Sequence, residues 1–263
     1  MSSIDSPMNS KTNLSISSGS LPVKQVTYSG DRNEYVIIDN KKYLRHELMQ
    51  AFGGTFNPGL APYPKHKFAN AAALGLAAFS ITTFTLGLYT VGAMGIKISS
   101  VIVGLCFFFG GAVQFLAGVW EMAAGSTFAG TAFISYGSFW ITYATMSVEA
   151  FGVAAAYKDE PEQFGNALGF YLIGWGLFTV MMIMCSLKST FEFVGLLTTL
   201  LLAFLLLAAA NMTGSASVTK AGGVLCLISA SFGFYNMYSG IANEQNTYFI
   251  LPSFPIPVYG DSK

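Results

Sequence analysis

Charge is scarce in this sequence. Only 10% of the 263 residues are charged, whereas a typical soluble domain has about 25%. The shortage is local, because residues 68–243 contain ten charged residues and the 67 residues before them contain thirteen. So few charges cannot cover a water-facing surface over most of the chain. The composition therefore predicts an integral membrane protein.

Cysteine and histidine are also rare, and the net charge is zero. The three cysteines, Cys106, Cys185 and Cys226, lie far apart in apolar surroundings, which argues against a disulfide framework or a zinc site. His46 and His66 both precede the apolar region, so it has no imidazole for a metal or a proton relay. A neutral chain offers no basic field for nucleic acid. We also find no catalytic constellation, and we expect no enzyme activity, cofactor or metal.

Six uncharged stretches follow the polar N-terminal region. A bilayer crossing needs about 20 residues, and the uncharged stretches have 29, 23, 27, 25, 27 and 23 residues. They are residues 68–96, 98–120, 122–148, 163–187, 193–219 and 221–243. The sequence therefore predicts an all-α membrane protein with six transmembrane helices. Lysines next to these stretches favour cytoplasmic termini.

The chain is predicted to have four regions. Residues 1–33 are polar and serine-rich, which predicts a disordered cytoplasmic tail. Residues 34–67 begin with two short strands, 34–38 and 41–44, and continue with an amphipathic helix over 45–52 that Gly53-Gly54 ends. Residues 68–243 form the six-helix domain, and residues 244–263 form a C-terminal tail.

Glycine is abundant where charge is scarce. Residues 68–243 hold 22 of the 28 glycines, including a GxxxG pair at Gly165 and Gly169. Small residues allow helix backbones to approach closely in lipid. The glycine content therefore predicts a tight helix bundle and a tight oligomer.

A polar stripe marks the second predicted helix. Gln114, Gly118 and Glu121 lie on one face, because Gln114 and Glu121 are two helical turns apart. Such a stripe fits either a water-filled lumen or hydrogen bonds between helices, and the pattern alone leaves both open. The same alternatives apply to other polar residues of the stretches, among them Asn70, Thr131, Tyr136 and Asn236.

Ten short motifs resemble those of one known family, in the same order and with the same spacing. They are AFGGTFNPGLAP (51–62), HKFAN (66–70), LGL (74–76), FGG (109–111), AGVWE (117–121), SYGSFW (135–140), NALGFY (166–171), KST (188–190), AGG (221–223) and YN (235–236). The sequence resembles the acetate uptake transporters, which include fungal acetate/ammonia export proteins and bacterial succinate–acetate permeases.

The resemblance implies a six-helix protomer in a ring-shaped homo-oligomer, expected to be a hexamer, in the plasma membrane. It implies proton-linked movement of acetate and related short monocarboxylates through each protomer, with the lipid bilayer around the ring. It also implies an apolar-aromatic constriction at Phe79, Tyr136 and Leu200. The full set of expected pathway residues is Asn70, Leu74, Phe79, Gln114, Glu121, Thr131, Tyr136, Leu200 and Asn236. Glu121 is the expected proton-coupling acid.

The sequence departs from the family pattern at the start of the first predicted span. The family usually reads Asn-Pro-Ala-Pro-Leu-Gly-Leu, and here alanines stand at positions 71 and 73. Alanine restores two backbone donors, so we expect the helix to extend backwards and hold Asn70 within a regular turn. Two alternatives to acetate transport remain open: ammonia or ammonium export, and a non-transporting membrane sensor or scaffold.

Overall fold

A computed structural model describes residues 26–31, 33–38, 41–51 and 69–257. The chain divides into two compact units, residues 1–67 and residues 68–263. Several sequence predictions lie outside the described residues. They concern the tail before residue 26, the turn at residues 39–40, the segment 52–68 and the last six residues.

The first unit contains a small antiparallel sheet and one helix. Strands β1 (Val26–Ser29), β2 (Tyr35–Ile38) and β3 (Lys41–Leu44) pair in that order, and α1 (Arg45–Ala51) follows directly. The structure agrees with the predicted strands and helix over the described residues 35–38, 41–44 and 45–51. It differs at β1, which lies in the segment predicted to be disordered. Val, Thr and Tyr favour extended backbone, and β1 pairs along its whole length with β2.

The second unit is built from six long helices. Five of them are long and apolar enough to cross a membrane. The remaining one, α4, has 21 residues without a charge, but its Gly, Ser and Thr residues lower its hydropathy. The six are α2 (Ala72–Val91), α3 (Ile102–Ala123), α4 (Thr127–Ser147), α5 (Pro161–Ser186), α6 (Phe191–Thr213) and α7 (Ala216–Ile241).

Helix ends are set by local backbone chemistry, and they do not coincide with the charged residues used to predict them. The Thr190 side chain caps α6 by accepting the N–H of Phe193 at 3.3 Å. Gly214, at φ 65°, ends the same helix in the left-handed conformation that glycine adopts without strain. Glu192 therefore lies inside α6, and Lys220 lies inside α7.

Glycines bring α3 and α4 into backbone contact at two levels. A Cβ atom added to Gly137 would lie 2.7 Å from the backbone nitrogen of Phe115, and one added to Gly118 would lie 2.5 Å from that of Ile134. At one level Gly137 of α4 lies against Gly111 of α3, and at the other Gly130 of α4 lies against Gly118 of α3. On each helix the two glycines are seven residues apart. Seven residues are about two helical turns, so one face of each helix carries the contact.

The pair α2 and α7 is packed in the same way. A Cβ atom on Gly87 would lie 3.0 Å from the carbonyl oxygen of Gly223, and one on Gly240 would lie 3.3 Å from the Cβ of Ala73. These contacts show that the two helices run antiparallel. Gly165 of the GxxxG pair approaches the carbonyl oxygen of Asn211 on α6. The predicted tight bundle is confirmed within the chain.

Large aromatic side chains fill the space between α4 and α5. The Phe139 ring stacks on Tyr171 with ring centroids 5.8 Å apart, and it meets Trp175 edge-on at 5.3 Å. Tyr171 also donates a hydrogen bond to the carbonyl oxygen of Phe139 at 3.2 Å. These two helices therefore meet through side chains, whereas α3 and α4 meet through their backbones.

The segment after α7 is ordered against the connection between α5 and α6. Phe191 N–H donates to the carbonyl oxygen of Phe254, and Ile256 N–H donates to that of Ser189, both at 2.9 Å. The carboxylate of Glu192 accepts the N–H of Phe254 at 3.3 Å. The predicted C-terminal tail is thus attached to the bundle up to Pro257, the last described residue of this segment.

We predict that Gly137→Ala destabilises the bundle. The added methyl group meets the α3 backbone, which cannot move aside as a flexible side chain would, and overpacking costs about 1–3 kcal/mol. The matched control is Gly104→Ala in α3, where an added Cβ has open space. Thermal unfolding of the purified protein in detergent measures the effect. Equal midpoints for the two variants would contradict the proposed backbone contact.

Candidate functional site: two cavities and the residues between them

Three helices, α2, α4 and α6, line both of two cavities in the bundle. Gln114 of α3 adds to the lining of the smaller cavity, and Leu172 of α5 with Thr219 and Cys226 of α7 add to that of the larger one. The larger cavity has a volume of about 220 Å³ and the smaller one about 20 Å³. A cavity needs about 10–15 Å³ to hold a water molecule, so the larger one has room for several waters or a small organic molecule. On all three helices the residues that line the smaller cavity precede those that line the larger one.

The lining residues recur every three or four positions, which places them on one face of each helix. On α2 the series is Leu76, Phe79, Thr83, Leu86 and Thr90. At 1.5 Å per residue, Ala71 and Thr90 are about 28 Å apart, close to the hydrocarbon thickness of a bilayer at about 30 Å. The lining residues Leu76 and Thr90 are about 21 Å apart on the same scale, so the two cavities occupy successive levels within the length of this helix.

Phe79, Tyr136 and Leu200 line both cavities. Each comes from a different helix, and all three side chains are buried. The Phe79 and Tyr136 rings have centroids 6.5 Å apart. The structure thus brings the three residues together where the two cavities adjoin, and their role as a constriction stays a prediction. We call this group the junction.

Contacts with α5 hold Tyr136 in place. Its hydroxyl lies 3.0 Å from the Thr179 hydroxyl, and its ring meets Phe178 edge-on with centroids 5.4 Å apart. The Thr179 hydroxyl donates to the carbonyl oxygen of Trp175 at 2.7 Å, so its oxygen is left to accept from Tyr136. The Tyr136 proton is therefore directed at α5.

Gln114 is the polar residue of the smaller cavity. It follows the π-helical segment Leu105–Val113 of α3, and π-helical turns are frequent at functional sites. The side chain is 1% exposed, and its Oε1 has no hydrogen-bond partner among the described residues. An unpaired buried amide oxygen is unfavourable, so this position favours a polar occupant of the cavity.

Asn70 and Glu121 meet at the end of the bundle where α2 begins. The Asn70 Oδ1 accepts the N–H of Ala72 at 2.8 Å, and the Glu121 Oε1 accepts that of Ala71 at 2.7 Å. A carboxylate at a helix N-terminus is favoured by the helix dipole. The side chain of Glu121 is buried, and Trp120 Nε1 donates to the carbonyl oxygen of Ala69 at 2.8 Å. These bonds attach the start of α2 to the end of α3.

The expectation that α2 extends backwards past Asn70 is wrong. The helix begins at Ala72, with Ala71 as its N-cap residue, so Asn70 precedes it. Two side chains accept the first free N–H groups, which an extra helical turn would otherwise satisfy. Ala71 instead supplies the donor that Glu121 binds, and a proline at this position has none.

Five of the nine expected pathway residues line neither cavity, namely Asn70, Leu74, Glu121, Thr131 and Asn236. Leu74 is 48% exposed on the outer face of α2, and Leu76 faces inward in its place. Thr131 and Asn236 are half-buried and line neither of the two cavities. Asn236 donates to the carbonyl oxygen of Phe232 at 2.8 Å, an ordinary bond within its own helix.

Thr83 is one of the polar span residues for which the sequence leaves a pathway role open, and Trp140 and Glu192 are not among the expected site residues. Thr83 and Trp140 line the larger cavity one turn beyond the junction, and the spacing of three and four residues from Leu76 to Thr90 was the available signal for Thr83. Glu192 is a second buried acid, which the predicted helix boundary had placed outside the membrane. Over the described ranges, no group of three or more His, Cys, Asp or Glu residues could hold a metal ion.

The fold and the cavities define a multi-pass membrane protein with two cavities in its helix bundle that share one apolar-aromatic group of lining residues. Residues 52–258 match the profile of the GPR1/FUN34/yaaH family. The chain belongs to this family, which agrees with the resemblance read from its motifs.

Relatives with curated names share most of their length with this chain. It is 50% identical to Ammonia transport outward protein 2 of Saccharomyces cerevisiae, over 87% of this chain and 81% of the relative. It is 41% identical to Acetate permease A of Emericella nidulans, over 81% of this chain and 75% of the relative. Among solved structures, the bacterial acetate channel SatP matches with a TM-score of 0.63 and 35% identity, covering 71% of this chain and 99% of that one.

Proposed function

We propose that this protein carries acetate and related short monocarboxylates across the membrane through the interior of each protomer. The proposal depends chiefly on one observation, the pair of cavities that meet at Phe79, Tyr136 and Leu200. The names of two relatives, an acetate permease and an acetate channel, support the substrate class.

The junction would act as a hydrophobic gate. A narrow apolar level resists wetting and passes a solute only when the solute displaces or carries water through it. Gln114 lines the smaller cavity on one side of the gate, where its Oε1 could accept the O–H of a protonated acid and its amide N–H groups could donate to a carboxylate. Asn70 would meet the solute first, since it lies at the start of α2.

The proposed membrane arrangement has six spans. Helix α4 counts as the sixth, because it is uncharged, has 21 residues and supplies Tyr136 to the junction. The proposed assembly is a ring-shaped homohexamer in the plasma membrane, with cytoplasmic termini and a separate pathway in each protomer. The family resemblance supports the hexameric ring and the plasma membrane. The lysines beside the spans support the cytoplasmic termini.

Proton coupling is assigned to Glu121. It lies on the same helix as Gln114, two turns nearer to the start of α2, so a proton bound there would be close to the smaller cavity. Glu192 at the start of α6 is the alternative acid, and its Oε2 has no partner among the described residues. The two acids can be tested separately.

Ammonia or ammonium export is the second candidate. It is favoured by the name of the relative from Saccharomyces cerevisiae, Ammonia transport outward protein 2. A protein that keeps the fold without transport, as a sensor or scaffold, is the third. In either of these two cases, the protein would not transport acetate.

We predict saturable uptake of radiolabelled acetate into proteoliposomes that contain only this protein, stimulated by an inward proton gradient. Tyr136→Ala should lower this uptake, because it removes the junction ring that Thr179 and Phe178 hold in place. Tyr136→Phe is the control, since it keeps the ring and removes only the hydroxyl. No uptake by a stable wild-type oligomer would reject acetate transport and leave ammonia export or a non-transporting role.

We predict that Glu121→Gln abolishes the stimulation by the proton gradient and retains gradient-independent uptake. Glutamine keeps an oxygen that can accept the Ala71 N–H, so the attachment of α2 to α3 survives. Glu192→Gln is the matched control, because its oxygen likewise keeps the Phe254 N–H bond. Initial rates at several external pH values measure the effect. Unchanged pH dependence in Glu121→Gln would remove this residue from the coupling step.

A further inference from the structure

The chain after α7 forms a segment that lies across one end of the bundle. We call residues 243–257 the C-terminal strap. Two tyrosines of α7 bind its main chain, because the Tyr238 hydroxyl donates to the carbonyl oxygen of Phe249 at 2.7 Å and the Tyr235 hydroxyl donates to that of Pro252. The first part of the strap is therefore attached to the helix that it follows.

The far part of the strap pairs with the connection between α5 and α6. The Ile256 N–H donates to the carbonyl oxygen of Ser189, and the Phe191 N–H donates to that of Phe254, both at 2.9 Å. The two bonds lie on either side of Thr190 in the sequence, and Phe191 is the first residue of α6. The strap therefore holds the point at which α6 begins.

The same turn of α6 carries Phe193. The Thr190 side chain accepts the Phe193 N–H at 3.3 Å, which fixes the first turn of the helix. The Phe193 ring meets the Phe128 ring of α4 edge-on, with centroids 5.8 Å apart. Phe193 therefore bridges the gap between α6 and the beginning of α4.

Phe193 is also part of the boundary between the smaller cavity and the outside. Ten described residues line this cavity, and nine of them are buried. Phe193 is the exception, because its side chain lines the cavity and is partly exposed. It is also the first residue of α6 in this lining. A movement of the first turn of α6 would therefore open the smaller cavity.

The docked strap leaves two buried polar atoms unsatisfied. They are the Ser189 Oγ and the Glu192 Oε2, neither of which has a hydrogen-bond partner in the described part of the chain. Both belong to residues that the strap binds, since Glu192 accepts the Phe254 N–H through its other oxygen at 3.3 Å. Buried polar atoms without partners are unfavourable, and water could reach both after the strap detached. Phe254 itself is 53% exposed, so it buries little apolar surface in docking.

We propose that the C-terminal strap is a latch on the smaller cavity. In the docked state it holds the first turn of α6, so that Phe193 closes the cavity. In the detached state this turn is free, and the cavity opens to the outside. The inference rests on the proposed transport function and adds to it the moving part through which the solute enters or leaves the smaller cavity.

The first experiment locks the latch. Thr190 and Pro255 face each other as an antiparallel pair without direct hydrogen bonds, in which Cα atoms are about 4.5 Å apart, a separation that a disulfide can span. The protein tested carries Thr190→Cys and Pro255→Cys, with the exposed Cys185 changed to serine. Oxidation should reduce acetate uptake into proteoliposomes to background, and a reductant should restore it. The two single-cysteine variants should be insensitive to oxidation.

The second experiment follows the cavity without any solute. A cysteine at Leu196, a buried residue of the smaller cavity, reacts with a small charged methanethiosulfonate in the Cys185→Ser background. Ile256→Pro removes the N–H that binds Ser189 and should speed this reaction about tenfold, the change that corresponds to about 1.4 kcal/mol. Ile256→Ala keeps the N–H and should leave the rate unchanged. A cysteine at Leu207, which lines only the larger cavity, should be unaffected by Ile256→Pro.

The outcomes separate the latch from the transport function. Full uptake by the oxidised, locked protein would overturn the latch, and so would an equal acceleration at both cysteine sites, because that would mean general loosening. If the reduced protein does not transport acetate while labelling at the smaller cavity still follows the strap, the latch stands and acetate transport fails. If Ile256→Pro does not fold, the comparison of oxidised and reduced protein decides.

Discussion

The backbone contact between α3 and α4 is the constraint on which the arrangement of the site depends. Gly118 and Gly137 have no side chains to separate the two helices, so each lies against the backbone of its neighbour. Membrane helices associate by packing, since lipid offers little hydrophobic drive. Tyr136 precedes Gly137 directly, and its ring points to Phe79 and to α5. The glycine contact therefore fixes the level along α4 at which the neighbouring residue presents its ring, since consecutive residues are about 100° apart around a helix.

The same principle explains why the site is both rigid and apolar. Tight glycine packing joins α3 to α4 and α2 to α7, and aromatic rings join α4 to α5. The polar groups inside are few, and most are bonded within their own helix. Gln114, Thr83 and Trp140 differ, because each lines a cavity and has a buried polar atom that no described residue satisfies.

Much of the fold could be predicted from sequence, because charge and glycine content are averaged over whole helices. The helix ends were less predictable. Charged residues marked the expected boundaries, but Glu192 lies inside α6, whose ends are set by Thr190 and Gly214, and Lys220 lies inside α7.

Only part of the candidate site could be predicted, because a sequence motif does not show which residues meet in three dimensions. Motif resemblance gave Phe79, Tyr136 and Leu200, which the fold brings together. It also gave Leu74, which lies on the outer face. Sequence could not reveal that Ala71 donates to Glu121, since this bond joins residues fifty positions apart. Nor could it separate Thr83 from the other hydroxyls of α2, because only three-dimensional contacts show which of them lack a partner.

The most direct test of the account is to block the junction. Leu200→Trp places a large ring where the two cavities meet, and Leu202→Trp places the same ring on the exposed face of the same helix. Acetate uptake into proteoliposomes should fall to background for Leu200→Trp and stay at the wild-type rate for Leu202→Trp, with both proteins assembled as the wild type is. Wild-type uptake by Leu200→Trp would contradict the account, because the solute would then cross elsewhere.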